Sequence, residues 1–153
     1  MLETFVVEAN DDLAELVDQI NQSEWDAANE MSKYDIGSLR SYLERQDTLF
    51  VICYESTSAE KVLLGFASSR FELKPYGGEL WLYVDELDVC ADQRKKGAGK
   101  AIMRKLIDLA DEADCEEVWL GAEADNVAAN ALYRSLDPDD VASVVGYTYE
   151  MDD

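Results

Sequence analysis

The 153-residue sequence predicts an α/β (α+β) fold built on one mixed, mostly antiparallel sheet, its first half antiparallel and its middle a β-α-β crossover. Three observations lead there. Apolar runs of strand type alternate with segments whose apolar residues recur at i, i+3, i+4 and i+7. Pro75, Gly77 and Gly78 break two long strand-like runs as a hairpin does. A short basic stretch with two glycines joins a strand directly to a helix. The order reads β-α-α-β-β-β-α-β-α-β, with six to seven strands and about four flanking helices, and the length suits a single domain over residues 1–153.

Leu2 to Ala9 is rich in β-branched and aromatic residues and predicts the first strand. Asn10 or Asp11 is placed to cap a helix carrying Leu13, Leu16, Val17 and Ile20 on one face. A second helix is expected after Asp35, with Leu39, Tyr42 and Leu43 on its apolar face. Thr48 to Tyr54 and Val62 to Leu73 read as strands joined by a turn over 56–61, and the hairpin at 75–78 leads back into a strand over 79–89. The stretch QRKKGAGK opens a helix with its apolar stripe at Ile102, Leu106, Ile107, Leu109 and Ala110. Strand 117–123, helix 127–136 and a last strand or strand pair over 141–150 complete the chain.

Composition excludes whole classes of chemistry. With 13 Lys and Arg against 34 Asp and Glu, the net charge of -21 repels phosphate backbones and anionic lipid surfaces, so neither nucleic acid nor a membrane is an expected partner and a cationic small molecule is. The chain has no His, which removes Ser-His and Cys-His nucleophile pairs and His-rich zinc sites; no metal site is expected. Proton transfer therefore falls to carboxylate, Tyr, Lys, Cys or water. Cys53, Cys90 and Cys115 are odd in number and widely spaced, as reduced thiols of a cytoplasmic protein would be. The segment MLETFVVEAND has no basic region or long apolar core, and no stretch nears the roughly 20 apolar residues of a membrane span, so a cytoplasmic protein is expected.

Against this acidic background, six of the 13 basic residues fall between positions 93 and 105, where no acidic residue occurs. A glycine loop between a strand and a helix converges backbone N–H groups at the positive end of a helix dipole, which is an anion site, and a diphosphate fits it. Arg94, Lys95, Lys96, Gly97, Ala98, Gly99 and Lys100 form this stretch. It lacks G-x-x-x-x-G-K-[ST] and is not G-x-G-x-x-G in a repeated βαβ setting, which disfavours ATP and NAD. Solvated basic residues at a helix start are the bland alternative.

Arg94-x-x-Gly97-x-Gly99, after a strand ending Leu87-x-Val89, resembles the acetyl-CoA pyrophosphate motif of the GNAT superfamily of N-acetyltransferases. Asn126-x-x-Ala129-x-x-Leu132-Tyr133, about 30 residues on and beyond an intervening strand, is similar to the second half of that signature. The strand ELWLYVDELDV and the acidic C-terminal stretch further resemble aminoglycoside 3-N-acetyltransferases, over about half the chain. The family follows its Leu-Tyr helix with a Gly-Phe pair, whereas this chain has Asp137-Pro138, so a rebuilt connection to the last strands is expected.

The resemblance implies a GNAT fold with a splayed central strand, acetyl-CoA as cofactor and direct acetyl transfer to an amine. It places the diphosphate on backbone N–H groups from Arg94 to Lys100 and the pantetheine arm along the strand near Leu87, Val89 and Ala91, with Asn126 and Ala129 in the matched second half. A β-bulge in that strand would open the sheet for the arm. Because an alkyl amine arrives as ammonium, a base is required. Asp85, Glu86 and Asp88 crowd the implied position, and Glu86 is the favoured base, directly or through water. Regular alternation puts Glu86 and Asp88 on one face and Asp85 on the other, an assignment that a bulge would scramble. Tyr133 is the candidate acid for the departing thiolate, against a core-aromatic alternative, and Asn126 is expected to cap its helix or touch the pantetheine. In such folds the helix over 35–46 often lines the acceptor site.

From Asp137 onward the chain has six carboxylates and no Lys or Arg, and Glu150, Asp152 and Asp153 with the acidic strand would form a cleft for polyamines or aminoglycosides. Acidity as an adaptation to solubility or a salty cytoplasm is the alternative. Trp25, in a polar segment, is the expected sugar-stacking platform. Taken with these features, the resemblance implies an aminoglycoside N-acetyltransferase acting on an amino group of the deoxystreptamine ring, the 3-amino group first. Acetylation of another amine, such as a polyamine, a protein N-terminus or a lysine, and a non-catalytic acyl-CoA-binding module stand beside it, and a homodimer is left open.

Overall fold

The computed structural model describes residues 1–25, 31–94 and 96–152. They divide into two compact units, Met1–Leu120 and Gly121–Asp153. The first unit holds a five-stranded sheet in the order β1 (Leu2–Val6), β2 (Thr48–Ser56), β3 (Lys61–Leu73), β4 (Leu80–Val89), β5 (Glu117–Leu120). The first four strands pair antiparallel, and β5 joins β4 in parallel after a crossover helix, α3 (Ala98–Glu112). Two shorter helices, α1 (Ala14–Gln22) and α2 (Ile36–Glu44), lie between β1 and β2 in sequence. The second unit contains α4 (Val127–Arg134). Among the described residues no helix is long and apolar enough to cross a membrane.

The predicted mixed sheet and its crossover are present, with five strands among the described residues rather than six to seven. Residues 141–152 form neither helix nor strand and are exposed, although Val141, Val145, Tyr147 and Tyr149 have strong strand propensity. Propensity describes how a side chain fits a half-buried ladder, and without one it specifies nothing. The first strand stops at Val6, three residues short of the expected end, and α1 starts at Ala14 with Leu13 as its cap. The candidate cap Asp11 is committed elsewhere, its Oδ2 accepting the Glu8 N–H at 2.8 Å. Asp35 caps α2 as expected, accepting the Ser38 N–H at 2.8 Å.

Each face of the sheet is covered by the helices whose apolar stripes match it. Phe50, Ile52 and Phe66 stack under α1 and α2, where Leu16, Val17, Ile20 and Leu39 complete a buried cluster. On the other face Val51, Ala67, Leu82 and Val84 are buried, as are Ile102, Met103, Leu106 and Ala110 of α3. Gly65 marks how close the backbones come there: a Cβ at that position would stand 3.3 Å from Ile102 Cδ1 and 2.6 Å from the Asp88 carbonyl oxygen. All three cysteines are free thiols.

Two irregularities set the geometry of the second half of β4. Ser69 pairs with Val84 and its neighbour Ser68 with Glu86, so Asp85 is the extra residue of a β-bulge. On the opposite edge, β5 pairs with β4 only from Trp81 to Val84, after which the parallel ladder ends. The ladder ends there because β5 itself ends at Leu120, opposite Val84, while β4 runs on to Val89.

Candidate active site

The bulge decides which way the carboxylates of β4 face. Before it, Leu82 and Val84 point to the α3 face; after it, register with Ala67 and Gly65 puts Leu87 and Val89 there instead. Glu86 and Asp88 accordingly share the face of Phe66 and Ser68, beneath α1 and α2. A pocket of about 300 Å³ opens at this point, with Tyr34, Ser38 and Tyr42 on one side and Phe50, Ser68 and Glu86 on the sheet side. Asp88 is buried beyond it, and Asp85 sits at the surface with its Oδ1 3.3 Å from Arg70 Nε, while Arg70 Nη1 makes a second pair with Glu72 Oε2 at 3.1 Å.

Burial and like charge act together on Glu86. Desolvation raises its pKa above the usual carboxylate value, and the negative charges of Asp88 and Asp85 raise it further. The pocket phenols respond in the same sense. Tyr34 is driven well above the ordinary phenol value by burial and then by Glu86 and Asp88, and Tyr42 is pushed up to about 12 by burial and Asp85. Both remain neutral hydrogen-bonding groups at any working pH. Tyr42 Oη donates to the Ser69 carbonyl at 2.8 Å, with the Leu49 carbonyl at 3.3 Å. At the mouth, the Asp35 carboxyl is held below its usual range by the Ser38 backbone and hydroxyl donors.

The glycine loop follows a short 3₁₀ turn, Ala91–Gln93, whose first N–H donates to the Glu24 carbonyl at 2.7 Å. Gly97 caps α3 in the left-handed region at φ 87°, where a side chain is disfavoured and none is available to occupy the helix's first N–H groups. Ala98 and Gly99 are buried, while Arg94, Lys96 and Lys100 are exposed around them. Lys96 Nζ stands 3.0 Å from Glu55 Oε1 at the end of β2. Lys95 lies outside the described residues. First-turn amides, a glycine cap and flanking cations make a donor set that fits an anion such as a diphosphate.

In the second unit Asn126 caps α4, its Oδ1 accepting the Ala129 N–H at 3.1 Å, and Tyr133 lies half-buried on that helix. Glu150 and Asp152 are exposed, and Asp153 lies outside the described residues. Trp25 is half-buried: its ring meets Phe66 edge-on at 5.2 Å and its Nε1–H donates to the Ile20 carbonyl at 2.8 Å, so ring and N–H are both engaged within the protein. Sequence reasoning passed over Tyr34, Ser38 and Ser68 as pocket residues. The signals available were the Asp35 cap, which fixes where α2 begins, and Tyr42 on its apolar face.

Known proteins share this architecture and part of this sequence. An aminoglycoside acetyltransferase from an uncultured soil metagenomic sample, solved in complex with sisomicin, matches with a TM-score of 0.82 at 22% identity, over 99% of this chain and 97% of that one. The ribosomal-protein-alanine N-acetyltransferase from Brucella melitensis biovar Abortus 2308 matches with a TM-score of 0.70 at 18% identity, over 99% and 100% of the two chains. Mycothiol acetyltransferase from Clavibacter sepedonicus is 41% identical over 75 residues, which is 49% of this chain and only 24% of that protein's length. The sequence model of the acetyltransferase (GNAT) family matches residues 11–137. With its family match over residues 11–137, its mixed sheet, bulged β4 and glycine-capped α3, the chain belongs to the GNAT family of acetyltransferases.

Proposed function

We propose that the protein transfers the acetyl group of acetyl-CoA to a primary amine of a cationic small molecule, an aminoglycoside acetylated at the 3-amino group of its deoxystreptamine ring. The observation that carries this reading is Glu86, a carboxylate of raised pKa that the bulge turns into a pocket walled by tyrosines. The strand ELWLYVDELDV and the likeness to a protein solved with sisomicin support the aminoglycoside as acceptor.

The chain's own groups divide the work. N–H groups from Arg94 to Lys100, with the side chains of Arg94, Lys95, Lys96 and Lys100, would hold the diphosphate. The main chain at Leu87, Val89 and Ala91 would take the pantetheine arm, in the stretch of β4 that extends past the end of β5. Acetyl-CoA, when bound, supplies the acetyl group as an activated thioester. Glu86 removes a proton from the acceptor ammonium, directly or through water, and its raised pKa makes it a stronger base than an ordinary carboxylate. Tyr133 carries a proton on Oη for the departing sulfur, and Asn126 and Ala129 support its helix. Asp85, Asp88, Glu150, Asp152 and Asp153 offer charge to the acceptor's other ammonium groups.

The test is CoA release across a panel of aminoglycosides, polyamines and peptides with free amino groups, followed by product mapping. Turnover selective for aminoglycosides is expected. The match to mycothiol acetyltransferase favours a second reading, a different small amine, which the same panel distinguishes. CoA binding without turnover of any amine would refute catalysis. Tyr133→Phe is expected to lower kcat by about tenfold or more, in keeping with loss of a general acid.

A further inference from the structure

We infer that Asn21 is a positioning residue for the amine acceptor: its side-chain amide grips both backbone groups of Tyr34 and so holds the Tyr34 ring as the pocket wall facing Glu86. This rests on the acetyltransferase reading above. Asn21 lies in the last turn of α1, 13 residues before Tyr34. Its Nδ2–H donates to the Tyr34 carbonyl at 2.8 Å, and its Oδ1 accepts the Tyr34 N–H at 2.9 Å. A side-chain amide offers one donor and one acceptor in a plane, so it can pair with a peptide group as a neighbouring strand would. Asp matches only the acceptor half and Ala neither.

The clamp fixes more than a backbone. The Tyr34 ring meets Phe50 at 6.2 Å and Phe66 at 5.6 Å, both edge-on, which leaves it lining the pocket beside Tyr42, Ser38 and Glu86. Its phenol feels the negative charges of Glu86 and Asp88 from β4, stands beside the neutral phenol of Tyr42 from α2, and has Lys33 and Asp35 flanking it in sequence. A neutral aromatic wall opposite a carboxylate suits a primary ammonium, which gains from the ring's negative face and from the carboxylate together. The last turn of α1 thus sets the width of the gap an ammonium must enter. Ser23 and Trp25, bonded to the carbonyls of Gln19 and Ile20, tie the chain just after α1 to the same turn.

The experiment compares wild type, Asn21→Ala and Asn21→Asp by two readouts. The first is NMR of the protein labelled with 13Cζ-tyrosine, giving the Tyr34 titration and the Tyr34 amide exchange rate. In Asn21→Ala the titration is expected to move down toward the ordinary phenol value of about 10, and the amide to exchange about tenfold faster or more. In Asn21→Asp, which keeps the acceptor, the exchange rate stays nearer wild type. The second is steady-state kinetics, in which Asn21→Ala, with both clamp bonds gone and the Tyr34 wall loosened, raises the KM for the amine about tenfold, while kcat and the Kd for CoA stay within about twofold. An unchanged Tyr34 titration and exchange rate in Asn21→Ala, or an unchanged amine KM, overturns the inference. So does a parallel loss in kcat and CoA affinity, which marks general structural damage. A wild-type protein that binds CoA and acetylates nothing overturns the catalytic reading and the acceptor role with it, while the NMR readout still decides whether the clamp exists.

Discussion

Val84 and Glu86 stand two residues apart on one strand and face opposite sides of the sheet, because Asp85 between them is the extra residue of a bulge. A regular strand would have sent both to α3, burying a carboxylate among Ile102, Met103 and Leu106. One inserted residue lets the same strand build the core with its first half and the pocket with its second.

Glu86→Gln keeps the shape of the side chain and removes its basicity. Loss of the base is expected to lower kcat/KM by about 10²- to 10³-fold and leave CoA affinity unchanged. In wild type kcat/KM rises with pH through the raised Glu86 pKa, and this acid limb disappears in the variant. The linkage has a definite sign. Because the folded pKa lies above the unfolded one, the native state holds more protons between the two values, and stability falls as pH rises through that window. Glu86→Gln therefore raises Tm at neutral pH and not below the usual carboxylate range, which thermal melts at two pH values would check.

Gly97 caps α3 with φ 87°, a conformation that costs an Ala about 1 kcal/mol. For a chain of this size Gly97→Ala is expected to lower Tm by about 2–4 °C and to weaken CoA binding measured by calorimetry. Asn tolerates the left-handed region better, so Gly97→Asn should fall between the two; equal behaviour of Asn and Ala would count against the conformational explanation.

At Gly65 the neighbour that a methyl would strike is backbone, the Asp88 carbonyl at 2.6 Å, which cannot rotate away. Gly65→Ala is expected to cost about 1–3 kcal/mol, read as a lowered urea midpoint. Since β4 must move at Asp88, activity at a temperature where the variant is fully folded should also fall. A wild-type midpoint would refute the contact.

Arg70 offers a contrast. It pairs with Glu72 and Asp85 and lies over the Tyr83 ring at 4.7 Å, yet it is exposed, so Arg70→Met should change stability by less than about 1 kcal/mol. Removing the cation leaves Asp85 uncompensated near Glu86, so the acid limb of the pH-rate profile is expected to move to higher pH. An unshifted profile would mean that Asp85 acts on Glu86 no differently without its partner.

Much of this was legible in residue order. The apolar spacing of α1, α2 and α3, the Asp35 cap and the glycine between β4 and α3 are local signals, and each produced the element expected of it. The face of Glu86 was not legible, because a bulge is set by how β3 and β4 pair and no spacing within β4 reports it. The last strand failed for a related reason: alternation at 141–150 states what a strand would bury there, not whether a ladder receives it. The pocket wall at Tyr34 escaped because the Asn21 clamp joins residues that no helical or strand period relates.

Tyr42 bolts α2 to the sheet through one hydroxyl placed between the carbonyls of Leu49 and Ser69, two residues paired across β2 and β3. A helix held at such a cross-strand pair cannot slide along either strand without breaking the bond. The pocket is therefore pinned on both flanks, at Tyr42 by a hydroxyl that meets two strands and at Tyr34 by the Asn21 amide together with the ring's packing on Phe50 and Phe66.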